Sequence, residues 1–385
     1  MRTQDVFFAL VRHALYGTPV SRDVLSALTP ENLTRVRRLA AAHDLSHLVA
    51  HALAALGMLG TEPSSAKLRD ALLLSVFRHE RIAHEQKALC DLLEKESIPF
   101  IPLKGAVIRD LYPESWMRTS CDIDILVHED DLARATNAIM ADLGYTSDKR
   151  KNYHDISLYA KNGVHLELHF NILEDNPALD TVLKEAWDYA TPVAAGSRHA
   201  LSTEFLFFHV TSHMAYHFLG GGCGIRPLID LYFMRERLSP DEAVLSRLLA
   251  RAGIATFYRQ ALSLAEVWLA DRPHTDLTRE MEDYILKGGV YGTLENSVAV
   301  KKMKRGGRLR YLWYRVFPPY RSLKITYPVL KKHPYLIPVM YLRRWMRFLL
   351  HGDRDRVGAE IRISGMANEE KTEALRALLE SLDLS

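Results

Sequence analysis

Cysteine is scarce. The 385 residues hold only three, Cys90, Cys121 and Cys223, far apart and without a Cys-x-x-Cys pair. A disulfide framework and a cysteine-ligated zinc site are therefore not expected, and a reducing cytosol is the compartment that fits. Long apolar runs are missing too. The best candidate, 334–342, carries Pro334 and Pro338 and falls well short of the roughly 20 residues a membrane-spanning helix needs. Near the start, the apolar run from Val6 to Val11 stops at Arg12 and His13, too short for the core of a secretory leader. Gly220-Gly221-Gly222 has no Lys-Ser or Lys-Thr behind it, so it reads as a flexible turn and not as a phosphate-binding P-loop. No internal repeat is present.

Acidic residues are absent from 301–350, where fourteen Lys or Arg fall together. The rest of the chain is left with 36 basic residues against 47 acidic ones. A basic block on an acidic body implies an anionic partner for the block or docking on the body itself. The block also holds ten aromatics, among them Tyr311, Trp313, Phe317, Tyr335 and Trp345. Cations with aromatics suit RNA, by phosphate neutralisation and base stacking. They suit an anionic membrane surface equally, or a solvated face over a small core.

With 48% hydrophobic and 25% charged residues the chain is ordinary globular material, long enough for about two to three domains. Residues 1–95 show helical periodicity, with Ser21 as an N-cap, a boundary at Thr29-Pro30 and one long amphipathic stretch over 64–96. The texture changes at Ile98. The short apolar run 98–103 reads as a strand, Gly105 opens a helix, and 121–127 alternates polar and apolar like a half-buried strand. A helix ending at Gly144 follows, then a hairpin turning at Asn162-Gly163. This β-α-β-α-β-β order predicts an α+β fold with a mixed sheet and packed helices. Helices resume from Thr203 to about Gly288. Prolines at 318, 319, 328, 334 and 338 exclude one long helix in the basic block, and 368–385 reads as a closing helix. The expected division is 1–95 helical, 96–195 catalytic core, 196–295 helical and 296–385 basic and aromatic.

Chemistry concentrates in two strands. Asp122 and Asp124 are two apart and project from one face, with Ile123, Ile125 and Val127 on the other. Adjacent carboxylates repel unless a cation sits between them, and hard oxygen ligands suit Mg²⁺ or Mn²⁺. A solvent-facing strand with two acids is the plain alternative. On the second strand, His165, Glu167 and His169 share a face. If the strands are neighbours, Glu167 becomes a third carboxylate, and three carboxylates can hold two ions about 4 Å apart for nucleotidyl displacement. A rival reading makes His165, Glu167 and His169 a facial triad for iron or zinc. Upstream, the Lys104-Gly105 turn opens a helix where backbone N–H groups can approach phosphate oxygens, and Arg118 could add a bidentate fork. His209, His213 and His217 recur at i, i+4 and i+8 of a helix without the glutamate of a His-Glu-x-x-His zinc site.

Leu103-Lys104-Gly105, Leu111-Tyr112-Pro113, Arg118, Asp122-Ile123-Asp124-Ile125-Leu126-Val127, Gly144-Tyr145 and Glu167-Leu168-His169 together resemble a bacterial nucleotidyltransferase family of largely unassigned substrate, within the DNA polymerase β-like superfamily. The resemblance is most specific over about 98–170 and looser to about 350, where it includes Phe317-Pro318, Tyr327-Pro328-Val329-Leu330 and Ile337-Pro338. It implies a polymerase β-like core flanked by helical regions, two Mg²⁺ or Mn²⁺ ions, and transfer of a nucleoside monophosphate from an NTP, with ATP the expected donor. It makes Asp122, Asp124 and Glu167 the catalytic and metal-binding acids, and Lys104, Gly105, Arg118 and Ser120 the nucleotide-binding residues. The helix-opening turn usually reads Gly-Gly or Gly-Ser in the superfamily; here it is Lys104-Gly105-Ala106. The second helical region resembles one that faces the active cleft in related enzymes, which places His213, His217 and Asp230 near nucleotide or acceptor. The acceptor stays open among a small molecule, RNA, a protein or peptide, and a glycan precursor. The alternative function is a non-catalytic nucleotide- or RNA-binding module working through 301–350.

Overall fold

A computed structural model describes residues 1–60, 63–151, 154–290, 292–304, 310, 313–314, 316–350 and 369–384. Four helices open the chain: α1 (Thr3–Tyr16), α2 (Arg22–Ala27), α3 (Pro30–Ala42) and α4 (Ser46–Ala55). Ser21 caps α2 by accepting from the Val24 N–H, and Thr29 caps α3 with Pro30 at its first position, as the sequence leads one to expect. The long helix α5 (Pro63–Lys95) runs from there to the sheet.

The α+β core follows: β1 (Phe100–Pro102), the four-residue α6 (Gly105–Ile108), β2 (Asp122–Val127), α7 (Leu132–Asp142), β3 (Thr146–Lys151), β4 (Asp155–Tyr159) and β5 (His165–His169). The sheet order is β1-β2-β5-β4-β3, and only the β2–β5 pair is parallel. The β4–β5 hairpin turns through residues 161–163, with Gly163 at φ +83°, where a side chain would be strained. Gly144, at φ +67°, ends α7. Strand β3 is an addition to the sequence reading. Its polar run, Thr-Ser-Asp-Lys-Arg-Lys, has no apolar alternation, and it forms as the edge strand, which needs only one paired side.

One face of the sheet is apolar. Ile123, Ile125, Val127, Leu158, Leu166 and Leu168 pack with Leu89 and Leu93 of α5 and with Ala135 and Ile139 of α7. The polar face of β2 and β5 looks toward a helical body. That body holds α8 (Pro177–Leu183), a small ribbon of β6 (Ala190–Pro192) with β7 (His199–Leu201), and the run α9 (Thr203–Gly220), α10 (Arg226–Arg237), α11 (Glu242–Arg251), α12 (Ala255–Ala270) and α13 (Asp276–Gly288). Its apolar core is continuous with α1 and α4 at one end of the chain and with Leu375, Leu378 and Leu382 at the other.

Four further helices are described, α14 (Leu294–Lys304), α15 (Tyr320–Thr326), α16 (Ile337–Leu350) and the closing α17 (Glu369–Ser381). Within the basic block, 305–309, 311, 312 and 315 lie outside the described residues, Tyr311 among them. The prolines divide the block as expected, into α15, short 3₁₀ turns at Pro328–Lys331 and Pro334–Leu336, and α16. Leu323, Leu330 and Met340 form a small core there. Among the described residues, no helix is long and apolar enough to cross a membrane.

Candidate active site

The parallel β2–β5 register sets Asp122 opposite His165 and Asp124 opposite Glu167. All four residues therefore rise from one face, and the conditional placement of Glu167 beside the two aspartates is met. Side-chain donors fall into two groups, Asp122 with His165 and Glu167, and Asp124 with Glu167 and His169, each with its atoms within 4.8 Å of one another. Glu167 belongs to both. His165, Glu167 and His169 are not gathered as a set of their own among the described residues, since His165 and His169 stand about 13 Å apart along the strand.

Charge is crowded here. Burial, with the negative charges of Asp124 and Glu167, pushes Asp122 up to about 6. Asp124 is buried too, yet Lys104 and a hydrogen bond from His169 hold it well below the usual carboxylate range. His169 Nε2 lies 2.9 Å from Asp124 Oδ1 and 3.5 Å from Glu167 Oε2. Burial alone would favour the neutral imidazole; those two acids reverse this and raise His169 to about 9. The pair Asp124–His169 is thus an ion pair at the edge of an acidic cluster.

The Lys104-Gly105 turn is fixed beside this cluster because the Leu103 N–H donates to Asp124 O at 3.0 Å. Lys104 takes φ +38°, ψ −107°, a strained backbone for a side-chain-bearing residue. Its ammonium has no ion pair of its own among the described residues, and it lines the same cavity as the acids. Gly105 meets a steric demand. A Cβ there would lie 2.6 Å from Ser120 Oγ and 2.8 Å from Arg118 Nη1, so no larger residue fits without displacing both. The sequence-predicted Lys104, Gly105, Arg118 and Ser120 are therefore brought together in one corner.

Arg118 is engaged already. Its Nε and Nη2 donate to Asp230 Oδ1 and Oδ2 at 2.8 and 2.7 Å, and Nη1 donates to Ser120 Oγ at 3.1 Å. Tyr112 Oη donates to the same carboxylate at 2.7 Å. The fork read from the sequence as a phosphate contact is spent on Asp230, which lines the same cavity and is itself buried in this clamp.

The facing wall comes from α9. His213 Nδ1 lies 2.7 Å from Glu174 Oε1, and His217 Nε2 lies 3.1 Å from His213 Nε2. This reads as a relay in which His217 donates to His213 and His213 donates to Glu174. Burial holds all three histidines of α9 below their usual value. His209 is 1% exposed and neither ring nitrogen has a partner among the described residues. Glu174 is a site residue that sequence reasoning missed: it sits in a loop rich in Asp, Asn and Pro, with no periodicity to single it out. Acids, Lys104 and histidines enclose a cavity of about 410 Å³.

The donor set fits a divalent cation: adjacent, partly buried carboxylates at raised electrostatic cost, with hard oxygens facing one space. Comparison with curated proteins and with solved structures finds no match for the chain. A family model described as "Uncharacterised nucleotidyltransferase" matches residues 29–270, a span that takes in the acid-bearing sheet, the Lys104-Gly105 turn and the histidine wall of α9. Matched over more than half its length, the chain belongs to this family of nucleotidyltransferases.

Proposed function

We propose that the cleft transfers a nucleoside monophosphate from an NTP, ATP first among them, to an acceptor hydroxyl or phosphate. The observation that carries this is the sharing of Glu167 between the Asp122 and Asp124 groups across one parallel strand pair. Asp122, Asp124 and Glu167 would hold two Mg²⁺ or Mn²⁺ ions, which when bound supply charge neutralisation at the transferring phosphate. In the reaction the acceptor oxygen bonds to the α-phosphorus, the bond from that phosphorus to the bridging oxygen breaks, and pyrophosphate leaves. Glu167 would take the acceptor's proton. Lys104, a cation beside the acids with no ion pair among the described residues, would meet the triphosphate as a point charge, and Gly105 lets Ser120 and Arg118 close in beside the turn. His209, His213 and His217 face the acids and would line the acceptor side. His169 holds Asp124 in its charged form. The free thiols of Cys90, Cys121 and Cys223 suit a cytoplasmic setting.

The test is incubation of the purified chain with each labelled NTP, Mg²⁺ or Mn²⁺, and a lysate as acceptor source, read by intact mass and label transfer. Asp122→Asn, Asp124→Asn and Glu167→Gln should each cut transfer by about a hundredfold or more while thermal unfolding stays cooperative. Transfer at the native rate in the Asp122→Asn, Asp124→Asn double variant would refute the proposal. A second reading, a binding module working through the basic block, draws on the exposure of Trp313, Tyr335 and Leu342 at 64%, 72% and 59%. It predicts RNA or vesicle binding that weakens steeply with salt and ignores Asp122 and Glu167.

A further inference from the structure

Next to the Lys104-Gly105 turn, and sharing no lining residue with the cleft, lies a second cavity of about 350 Å³ between α5, α6 and the loop carrying Arg198. Arg109 lines it. This guanidinium is 5% exposed and has no carboxylate partner among the described residues. Its one described side-chain hydrogen bond runs from Nε to Gly105 O, at 2.5 Å, and Nη2 is buried without a partner. Arginine is seldom fully buried unless paired, because removing its charge from water costs several kcal/mol. Arg118 lies nearby with its own charge met by Asp230, and Asp110 and Asp122 offset part of the charge on Arg109 from a distance.

Further polar atoms around the cavity are in the same condition. Gln86 Oε1 and His79 Nδ1 are buried without hydrogen bonds. At the rim, the exposed Arg198 side chain has no carboxylate partner among the described residues. The acids of the cavity are already occupied: Asp91 pairs with Lys87 at 2.6 Å, and Asp110 accepts from Ser115 Oγ at 3.1 Å. What remains is one positive charge in excess, from Lys87, Arg109 and Arg198 against Asp91 and Asp110, with buried polar atoms around a half-open space. A tetrahedral oxyanion satisfies that inventory, accepting from guanidinium and imidazole while its own hydroxyl donates to Gln86.

We propose that this second cavity binds a phosphate group, free or carried on a small molecule, between Arg109 and Arg198. Occupancy would neutralise the cation that hydrogen-bonds Gly105 O, and so would stiffen the turn. The pocket takes its anion whatever the cleft transfers.

Isothermal titration of the full chain with inorganic phosphate tests this, with and without saturating Mg²⁺ and a non-hydrolysable ATP analogue. One phosphate should bind per chain and stay bound when the analogue fills the cleft. Arg198→Gln, a rim change that leaves the fold untouched, should weaken binding about tenfold. Arg109→Gln should abolish it, with folding checked by circular dichroism; if that variant does not fold, Arg198→Gln decides. Absence of phosphate binding, displacement of phosphate by the analogue, or native affinity in Arg198→Gln would each overturn the assignment. A parallel titration with glucose 6-phosphate separates the sources: tighter binding of the ester identifies a phosphorylated metabolite, and equal or weaker binding identifies the free ion.

Discussion

In the cleft, Arg118 meets Asp230 at 2.7 Å, His213 meets Glu174 at 2.7 Å and His169 meets Asp124 at 2.9 Å. In the C-terminal segment, Lys332 and Arg343 stand exposed with no carboxylate partner among the described residues. Some of its aromatics pack on one another. Phe317 packs edge-on to Tyr341 and Trp345, and the polar tips of those two rings donate to the Pro318 and Val316 carbonyls. The cleft therefore pairs much of its charge internally and leaves Lys104 and the Asp122–Glu167 acids to face the cavity. The segment leaves its electrostatics open to whatever binds it. Substitutions in the first should change stability and turnover; substitutions in the second should change only association.

The largest effect expected on stability comes from the clamp. Asp230→Ala strands a buried Arg118 and leaves Tyr112 without its acceptor. Unfolding by urea should show a loss of about 3–5 kcal/mol, and a loss below 1 kcal/mol would place the clamp with the surface pairs. The Arg118→Met, Asp230→Leu double variant should recover much of the loss, because no charge is then left buried alone.

Acid sensitivity comes next. Burial holds His43, His47, His209, His213 and His217 below their usual value, His217 at about 4. The unfolded chain takes up protons on these groups near pH 6.5 and the folded chain does not, so their stabilisation is complete above that pH and is lost as pH falls. Each contributes at most about 1.4 kcal/mol per pH unit. Asp122, raised to about 6, His169, raised to about 9, and the raised carboxyls of Glu174 and Asp180 act in the opposite sense, four groups against eight once His51, His79 and His154, lowered as well, join the five. In metal-free buffer the urea midpoint should drop between pH 7 and pH 5. A midpoint that rises over that interval would show that the histidine wall is solvated.

The smallest effect belongs to the basic segment. Arg343→Glu should move the urea midpoint by less than about 0.5 kcal/mol in free energy. If an anionic partner docks here, the same change should lower its salt-dependence slope by about one unit. A large loss of stability instead would mean that the segment's cations are tied to the acidic body, and the contrast between the two regions would fail.

Much of the cleft was legible because its key acids obey a local rule. Asp122 and Asp124 share a face by the two-residue period of a strand, and the same period aligned Glu167 with His165 and His169. Their meeting required only that β2 and β5 be neighbours, which the family resemblance also implied. What the sequence concealed is long-range. Arg118 and Asp230 are 112 positions apart and Glu174 and His213 are 39 apart, and nothing local marks either pair. A phosphate-seeking arginine and one locked to a carboxylate look identical in a sequence. Strand β3 was hidden for a different reason: it is polar throughout, and what places it is its pairing with β4.

The clamp at Arg118 and Asp230 has a mechanical consequence. Arg118 belongs to the loop leading into β2, and Asp230 to α10 of the opposite wall. Two parallel N–H···O bonds between groups shielded from water bolt the floor of the cleft, so its two sides keep one separation there and cannot swing apart at their base. The span between the acids and the α9 imidazoles is then set at that end by the fold itself.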